Sequence, residues 1–150
     1  MKKCITISLL LCGLLHAEAI STACYRDNDK NVVICDESKL GKLMWQDDER
    51  VFIGDWKQAK ERCERLNFAT YSDWRLPRVD ELISITDKTK FSPAINSAFK
   101  NIASGEFLCY QSSTKYINDS SSAWVVDFVG GNDGWDSVFA RSFVRCVRRY

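Results

Sequence analysis

Asp127, Asn132, Asp133 and Asp136 place four oxygen-bearing side chains around the run Gly130-Gly131-Asn132-Asp133-Gly134. Hard cations such as calcium want several oxygens of this kind, which makes the stretch the candidate metal loop. The same run is what a plain β-turn between two strands needs, and the turn reading is preferred. Arg141, Arg145, Arg148 and Arg149 crowd the C-terminus. Arg141 and Arg148, with Lys100 or Lys115 near them, are placed to hold a sulfated or carboxylated sugar through bidentate contacts. Arg145 suits an Asp or Glu partner inside the fold instead. Tyr116, Asn118, Asp119, Asn132, Asp133 and Trp135 set aromatic faces beside amides and carboxylates on two loops, residues 115–122 and 130–135. That mixture suits sugar rings or a peptide, provided the loops sit on a rigid scaffold. Cys109 is the candidate nucleophile of an enzyme reading, although a buried strand thiol is the commoner case.

What is missing bounds the chemistry further. His16 is the only histidine, and it lies in the segment MKKCITISLLLCGLLHAEA. Lys2 and Lys3, the apolar stretch from Ile5 to Leu15 and the small-residue pattern Ala17-Glu18-Ala19 make this a secretory signal peptide, residues 1–19. The apolar run is too short for a membrane span. Lipidation at Cys12, after Leu9-Leu10-Leu11, is the alternative; Leu11 stands where a small residue is usual, so simple cleavage is preferred. Cleavage would leave residues 20–150 as a single domain. With Lys2, Lys3 and Glu18 removed from the 21 basic and 20 acidic residues, the mature chain has 19 of each. A net charge near zero argues against a nucleic-acid binder. A mature chain without histidine can run neither a Ser-His-Asp nor a Cys-His relay and lacks the usual zinc ligands. The expectation is therefore a non-catalytic protein without a resident cofactor, exported to the periplasm or cell surface. Export leaves Cys24, Cys35, Cys63, Cys109 and Cys146 where disulfides persist. Their odd number allows at most two bridges within one chain.

The elements that would position these groups follow from periodicity. Cys24 to Cys35 reads as a hairpin around the polar run Asp27-Asn28-Asp29-Lys30-Asn31, and the two cysteines could pair across it, with Cys109 a competitor for either. Lys42 to Gln46 is a strand, followed by an acidic turn, Asp47-Asp48-Glu49. Asp55 to Asn67 is the clearest helix, with Trp56, Ala59, Cys63 and Leu66 on one face and Asp55 as its cap. A second helix runs from Pro77 to about Thr86 and buries Val79, Leu82 and Ile83. Strands are expected over 107–112, 123–128, 135–140 and 143–148, giving an α+β domain with helices segregated from an antiparallel sheet.

Several landmarks then fall in one order: GKLMWQ at Gly41 to Gln46, a cysteine-bearing helix, SDWRLP before an acidic helix, QSST at Gln111 to Thr114, AWVVDF with its glycine turn, and a terminal RCVR. Together these resemble the bacterial exported DUF1566 family, the Lcl C-terminal domain, over roughly Val32 to Arg148. The resemblance implies a C-type-lectin-like fold, two helices packed on a small antiparallel sheet with long loops, related in shape to formylglycine-generating enzymes. It implies an envelope or adhesive setting with a glycan or an envelope or host protein as partner. A structural or secretion-associated envelope component is the alternative, and an oxidase-like use of Cys109 a lesser one. The lectin-like comparison also implies a Cys63–Cys146 disulfide joining the first helix to the last strand. The chain departs from the family where Arg78 replaces a Ser or Thr, removing a capping box to Glu81, and where Tyr110 replaces a tryptophan. No collagen-like Gly-x-y segment is present, nor a Glu-Pro-Asn sugar-binding signature.

Within SDWRLP, Pro77 fixes φ for the first helical position and holds Leu76 extended. Trp74 and Leu76 alternate into the core, and Arg75 points the other way. The five donors of Arg75 suit backbone carbonyls or a buried carboxylate such as Asp127. Trp74, Arg75 and Pro77 are thus read as a structural corner rather than a catalytic site.

Overall fold

The computed structural model describes residues 22–106 and 108–150. The expected signal peptide, His16, Cys12 and Phe107 lie outside the described residues. The described chain runs β1 (Ala23–Asp27), β2 (Val32–Glu37), β3 (Gly41–Gln46), β4 (Phe52–Gly54), α1 (Trp56–Glu64), α2 (Val79–Ser84), β5 (Cys109–Lys115), β6 (Ser122–Asp127), β7 (Asn132–Ser137), β8 (Ser142–Val144) and β9 (Val147–Arg149). It is a mixed α/β arrangement, mostly strand, with two sheets where the sequence reading placed one. One sheet has the order β1-β2-β3-β9 and the other β4-β8-β5-β6-β7. The first is antiparallel throughout; in the second, β5 and β8 pair in parallel through Tyr110 and Phe143.

The sheets share the end of the chain. The expected strand over 143–148 is broken at Arg145-Cys146: β8 pairs with β4 and β5, and β9 crosses to β3. Arg145 and Cys146 are both buried at the break, one side chain in an ion pair and the other in a disulfide. An uninterrupted strand would have kept their backbone in one ladder.

β2 begins with four apolar residues, and its two-residue period sorts them. Val33 and Cys35 join Leu43, Trp45, Leu82, Ile85, Phe99, Val126 and Phe128 in one core cluster. Val32 and Ile34 join Met44, Ala59, Cys63, Leu66, Trp74 and Leu76 in the other. The first sheet is thus buried on both faces, each large side chain contributing about 1.5–3 kcal/mol before entropy is counted.

In α1, Ala59 and Cys63 are buried as the periodicity predicts, and Asp55 accepts from the Gln58 N–H at 2.8 Å while Gln58 Oε1 accepts from the Asp55 N–H at 3.1 Å. In α2 the expectation is corrected twice. Val79 is the first helical residue and Arg78 the N-cap, so Pro77 precedes the helix rather than starting it. Ile83 is 37% exposed, and the buried positions are Glu81, Leu82 and Ile85. Half of the capping box survives the Arg78 departure: Glu81 Oε2 accepts from the Arg78 N–H at 2.8 Å, while a guanidinium has no acceptor to complete it. Cys24–Cys35 and Cys63–Cys146 are both disulfides, and Cys109 is a free thiol.

Candidate functional site

The SDWRLP corner is built from within. Trp74 and Leu76 are buried, and Trp74 donates its indole N–H to the carbonyls of Phe68 and Tyr71. Arg75 pairs with Val147 through reciprocal backbone bonds of 2.9 Å. Its guanidinium grips Glu81, not Asp127, with both forks at 2.7 Å. Burial alone would push the Glu81 carboxyl up, but the Arg75 fork, the Arg78 N–H and both nearby cations bring it net below its ordinary value. Arg148 closes the same region, holding Asp73 at 2.7 and 3.1 Å and lying 3.9 Å over the Tyr71 ring. The Arg148 side chain is therefore engaged inside the fold rather than offered to an anionic sugar.

Sequence reading missed the centre of the interior electrostatics. Asp47, taken for a turn residue, is 1% exposed. Its carboxylate accepts from Arg145 at 2.7 Å, from the Lys100 N–H at 2.9 Å, from the Asn101 N–H at 3.2 Å and from Arg26. Arg145 also donates to the carbonyls of Gln46 and Asn101 and lies 4.9 Å from the centre of the Phe99 ring. The internal partner expected for Arg145 is thus Asp47. A signal existed in the sequence only as an aspartate directly after an apolar strand.

The arginines expected to cooperate are apart. Arg141 donates to the Ile53 carbonyl at 2.9 Å, while Arg148 belongs to the Asp73 pair. Lys100 contacts Asn28, and Lys115 lies 4.2 Å over the Trp56 ring.

The aromatic candidates do converge. Trp135 is 56% exposed and lies in β7 rather than in a loop, in register with Trp124 of β6. The Tyr116 ring stacks on Trp135 at 4.6 Å with the planes 1° apart, and Trp124 meets both rings edge to face at 5.6 and 5.8 Å. One face of Trp135 is spent on Tyr116, which leaves the other as the free surface. Asn118 donates to the Tyr116 hydroxyl at 3.2 Å, so its amide steadies the ring. Asp119 organises the serine run: its carboxylate accepts from the Ser121 N–H and hydroxyl at 2.9 and 2.6 Å and from the Ser122 hydroxyl at 2.7 Å. The Ser121 hydroxyl is the main reason the Asp119 carboxyl lies below its ordinary value. Asp133 is two positions before Trp135 in β7, which places it on the same strand face.

That alternation also disperses the oxygen cluster. Asn132 and Asp133 are consecutive strand residues and point to opposite faces. Asp127 Oδ1 instead accepts from the N–H groups of Leu108 and Val129, at 3.3 and 2.9 Å, and so shapes the turn. Among the described residues no three His, Cys, Asp or Glu side chains are grouped to hold a metal ion. Cys109 is half-buried, and burial, then Asp127 and Asp136, push its thiol up, away from the thiolate that a nucleophile needs.

Two disulfides, a sheet pair sharing the chain's last strands and a surface aromatic stack define a stapled, strand-rich domain of mixed α/β architecture. The chain belongs to the Lcl C-terminal domain family, whose model matches residues 35–148. No curated protein matches it. Among the described residues no helix is long and apolar enough to cross a membrane.

Proposed function

We propose that the protein is an exported, non-catalytic binding module of the cell envelope whose ligand is a glycan held on the Tyr116–Trp135 ledge. The observation that carries this reading is Trp135 itself. A tryptophan 56% exposed on an edge strand leaves a large apolar face in water, yet the ring is held in one pose by Tyr116 and Trp124. A rigid aromatic face offers much contact area at little entropic cost, and Asp133 beside it supplies an acceptor for hydroxyl groups. The confinement of histidine to the expected signal peptide and the burial that pushes the Cys109 thiol up favour binding over turnover. A glycan array with and without calcium tests the proposal. Calcium-independent binding lost in Trp135→Ala is the expected result. Equal binding by wild type and by the Trp135→Ala, Tyr116→Ala double variant would remove the ledge from the mechanism.

A protein partner is the second reading. Ile117 and Phe139, 93% and 80% exposed, lie on the two loops beside the ledge, which are joined by the Val138 N–H to Ser121 carbonyl bond of 2.8 Å. Apolar tips of this kind suit a protein surface better than a sugar.

A further inference from the structure

A different region carries an independent site. Arg26, Arg50, Arg75, Arg78, Arg145 and Arg148 each hold a carboxylate in a salt bridge. Arg62, Arg65, Arg141 and Arg149 form none among the described residues; Arg149 donates to the Leu40 carbonyl, and the other three line one cavity of about 380 Å³, together with Phe52, Ile53, Gln58 and Glu61. That volume is within the range of small-ligand clefts.

The donors there are unspent. Arg141 uses one guanidinium hydrogen on the Ile53 carbonyl at 2.9 Å and keeps the rest. The Arg62 guanidinium lies 5.7 Å from the centre of the Phe52 ring. Gln58 Oε1 is occupied by the Asp55 N–H at 3.1 Å, which leaves its amide hydrogens to the cavity. Glu61 stands one helical turn from Arg65, the spacing at which such pairs form on a helix, and yet makes no salt bridge with it. Phe52 and the 42% exposed Ile53 give the cavity an apolar wall.

We propose that this cavity is a second ligand site, separate from the aromatic ledge, which takes a carboxylate carried on a small apolar body. A planar carboxylate accepts two parallel bonds from a guanidinium fork. The Phe52 and Ile53 wall receives the attached apolar group. Glu61 in the same lining opposes a densely charged polyanion, since each additional anionic group would face its carboxylate. The required chemistry, a free carboxylate next to an apolar substituent, occurs both in the C-terminus of a peptide and in a free organic acid.

Calorimetric titration of the full mature chain tests this with N-acetyl-leucine, N-acetyl-leucinamide, inorganic phosphate and a capped pentapeptide ending in a free leucine carboxylate. The acid should bind, and the amide at least about tenfold more weakly, because only the acid makes charge-assisted bonds. Arg65→Gln and Arg141→Gln should each weaken the acid roughly tenfold. Arg62→Gln, on the helix surface, guards against a folding effect of removing the Arg141–Ile53 bond, and it too should weaken binding. Trp135→Ala should leave this binding intact, so the ledge and the cavity succeed or fail separately. Tighter binding of the pentapeptide than of N-acetyl-leucine would identify the peptide C-terminus, and equal binding the free acid. Equal affinity for acid and amide, tighter binding of phosphate, no heat from either acid at millimolar concentration, or binding untouched by all three arginine variants would each overturn the proposal.

Discussion

The arginines around Asp47 and those around the 380 Å³ cavity are the same side chain in opposite circumstances. Arg26 and Arg145 share one buried carboxylate, and Arg145 also donates to the Gln46 and Asn101 carbonyls and lies against the Phe99 ring, with only its Nε–H left buried without a partner. Arg62, Arg65 and Arg141 line a solvent-open cavity and form no salt bridge among the described residues, although Glu61 lies in the same lining. A guanidinium taken out of water must be compensated within the fold, so the first pair is committed to stability. The second group needs no internal compensation and keeps its donors for something outside the chain. What separates the two is where the backbone delivers them.

The sharpest way to break this contrast is Asp47→Ala. It leaves two guanidinium groups without their carboxylate in the interior, and a loss of about 3–5 kcal/mol is expected in urea denaturation. A midpoint unchanged from wild type would mean that water reaches Arg26 and Arg145, and the division would collapse. The Arg62→Gln and Arg65→Gln pair should by contrast shift stability within about 0.5 kcal/mol, as surface substitutions do.

Of similar size is the disulfide that ties α1 to the junction of the two sheets. Cys63 and Cys146 are separated by 83 residues, and loop-closure entropy puts the bridge at roughly 4 kcal/mol. A Cys63→Ser, Cys146→Ser double variant should melt well below wild type. If a reductant fails to lower the melting temperature of the wild type, the bridge is not what holds the junction.

Arg75→Lys comes next, keeping the charge and losing the fork on Glu81. A loss of about 1–2 kcal/mol is expected, because the Arg75 side chain is 36% exposed and water screens part of the pair. The pH dependence has a definite sign. The Glu81 carboxyl titrates below its ordinary value of 4.5 when folded, so its contribution is present above that value and fades as pH falls through the folded one. Glu81→Gln should accordingly flatten the acid side of the stability profile, and an unchanged profile would assign acid sensitivity to other carboxylates.

The smallest stability effect belongs to the ledge. Trp135→Ala gives up its stacking on Tyr116, a pair worth roughly 0.5–1.5 kcal/mol, and little buried area. A variant that melts near wild type but no longer retains a glycan would place Trp135 with the outward-facing arginines rather than with the core.

Local pattern made much of this legible. The period of α1, the Asp55 cap and the outward Arg75 between buried Trp74 and Leu76 agree with the structure, as does the Cys63–Cys146 bridge that the family resemblance implied, while the structure decides Cys24–Cys35 against the competing Cys109. The family landmarks were legible for the same reason, being short runs whose order is itself information. Boundaries were harder to read. Gly130 to Gly134 carries a strong turn signal, yet the turn takes only its first half and β7 begins at Asn132, because pairing with β6 absorbs the rest.

Sequence by itself determined the negative and the periodic: a histidine confined to the leader-like segment, a charge balance without a dominant sign, and which face of α1 turns inward. These depend on composition or on neighbours a few positions apart. Only the tertiary structure decided that the last strand is split between two sheets, that Asp47 is an interior anion and that Arg141 is separated from Arg148. Each of those depends on side chains brought together from distant parts of the chain: Asp47 meets Arg145 across 98 positions, and Arg141 meets Ile53 across 88. Their energies exist only once the chain has closed those distances, and a linear pattern has no periodicity that records them.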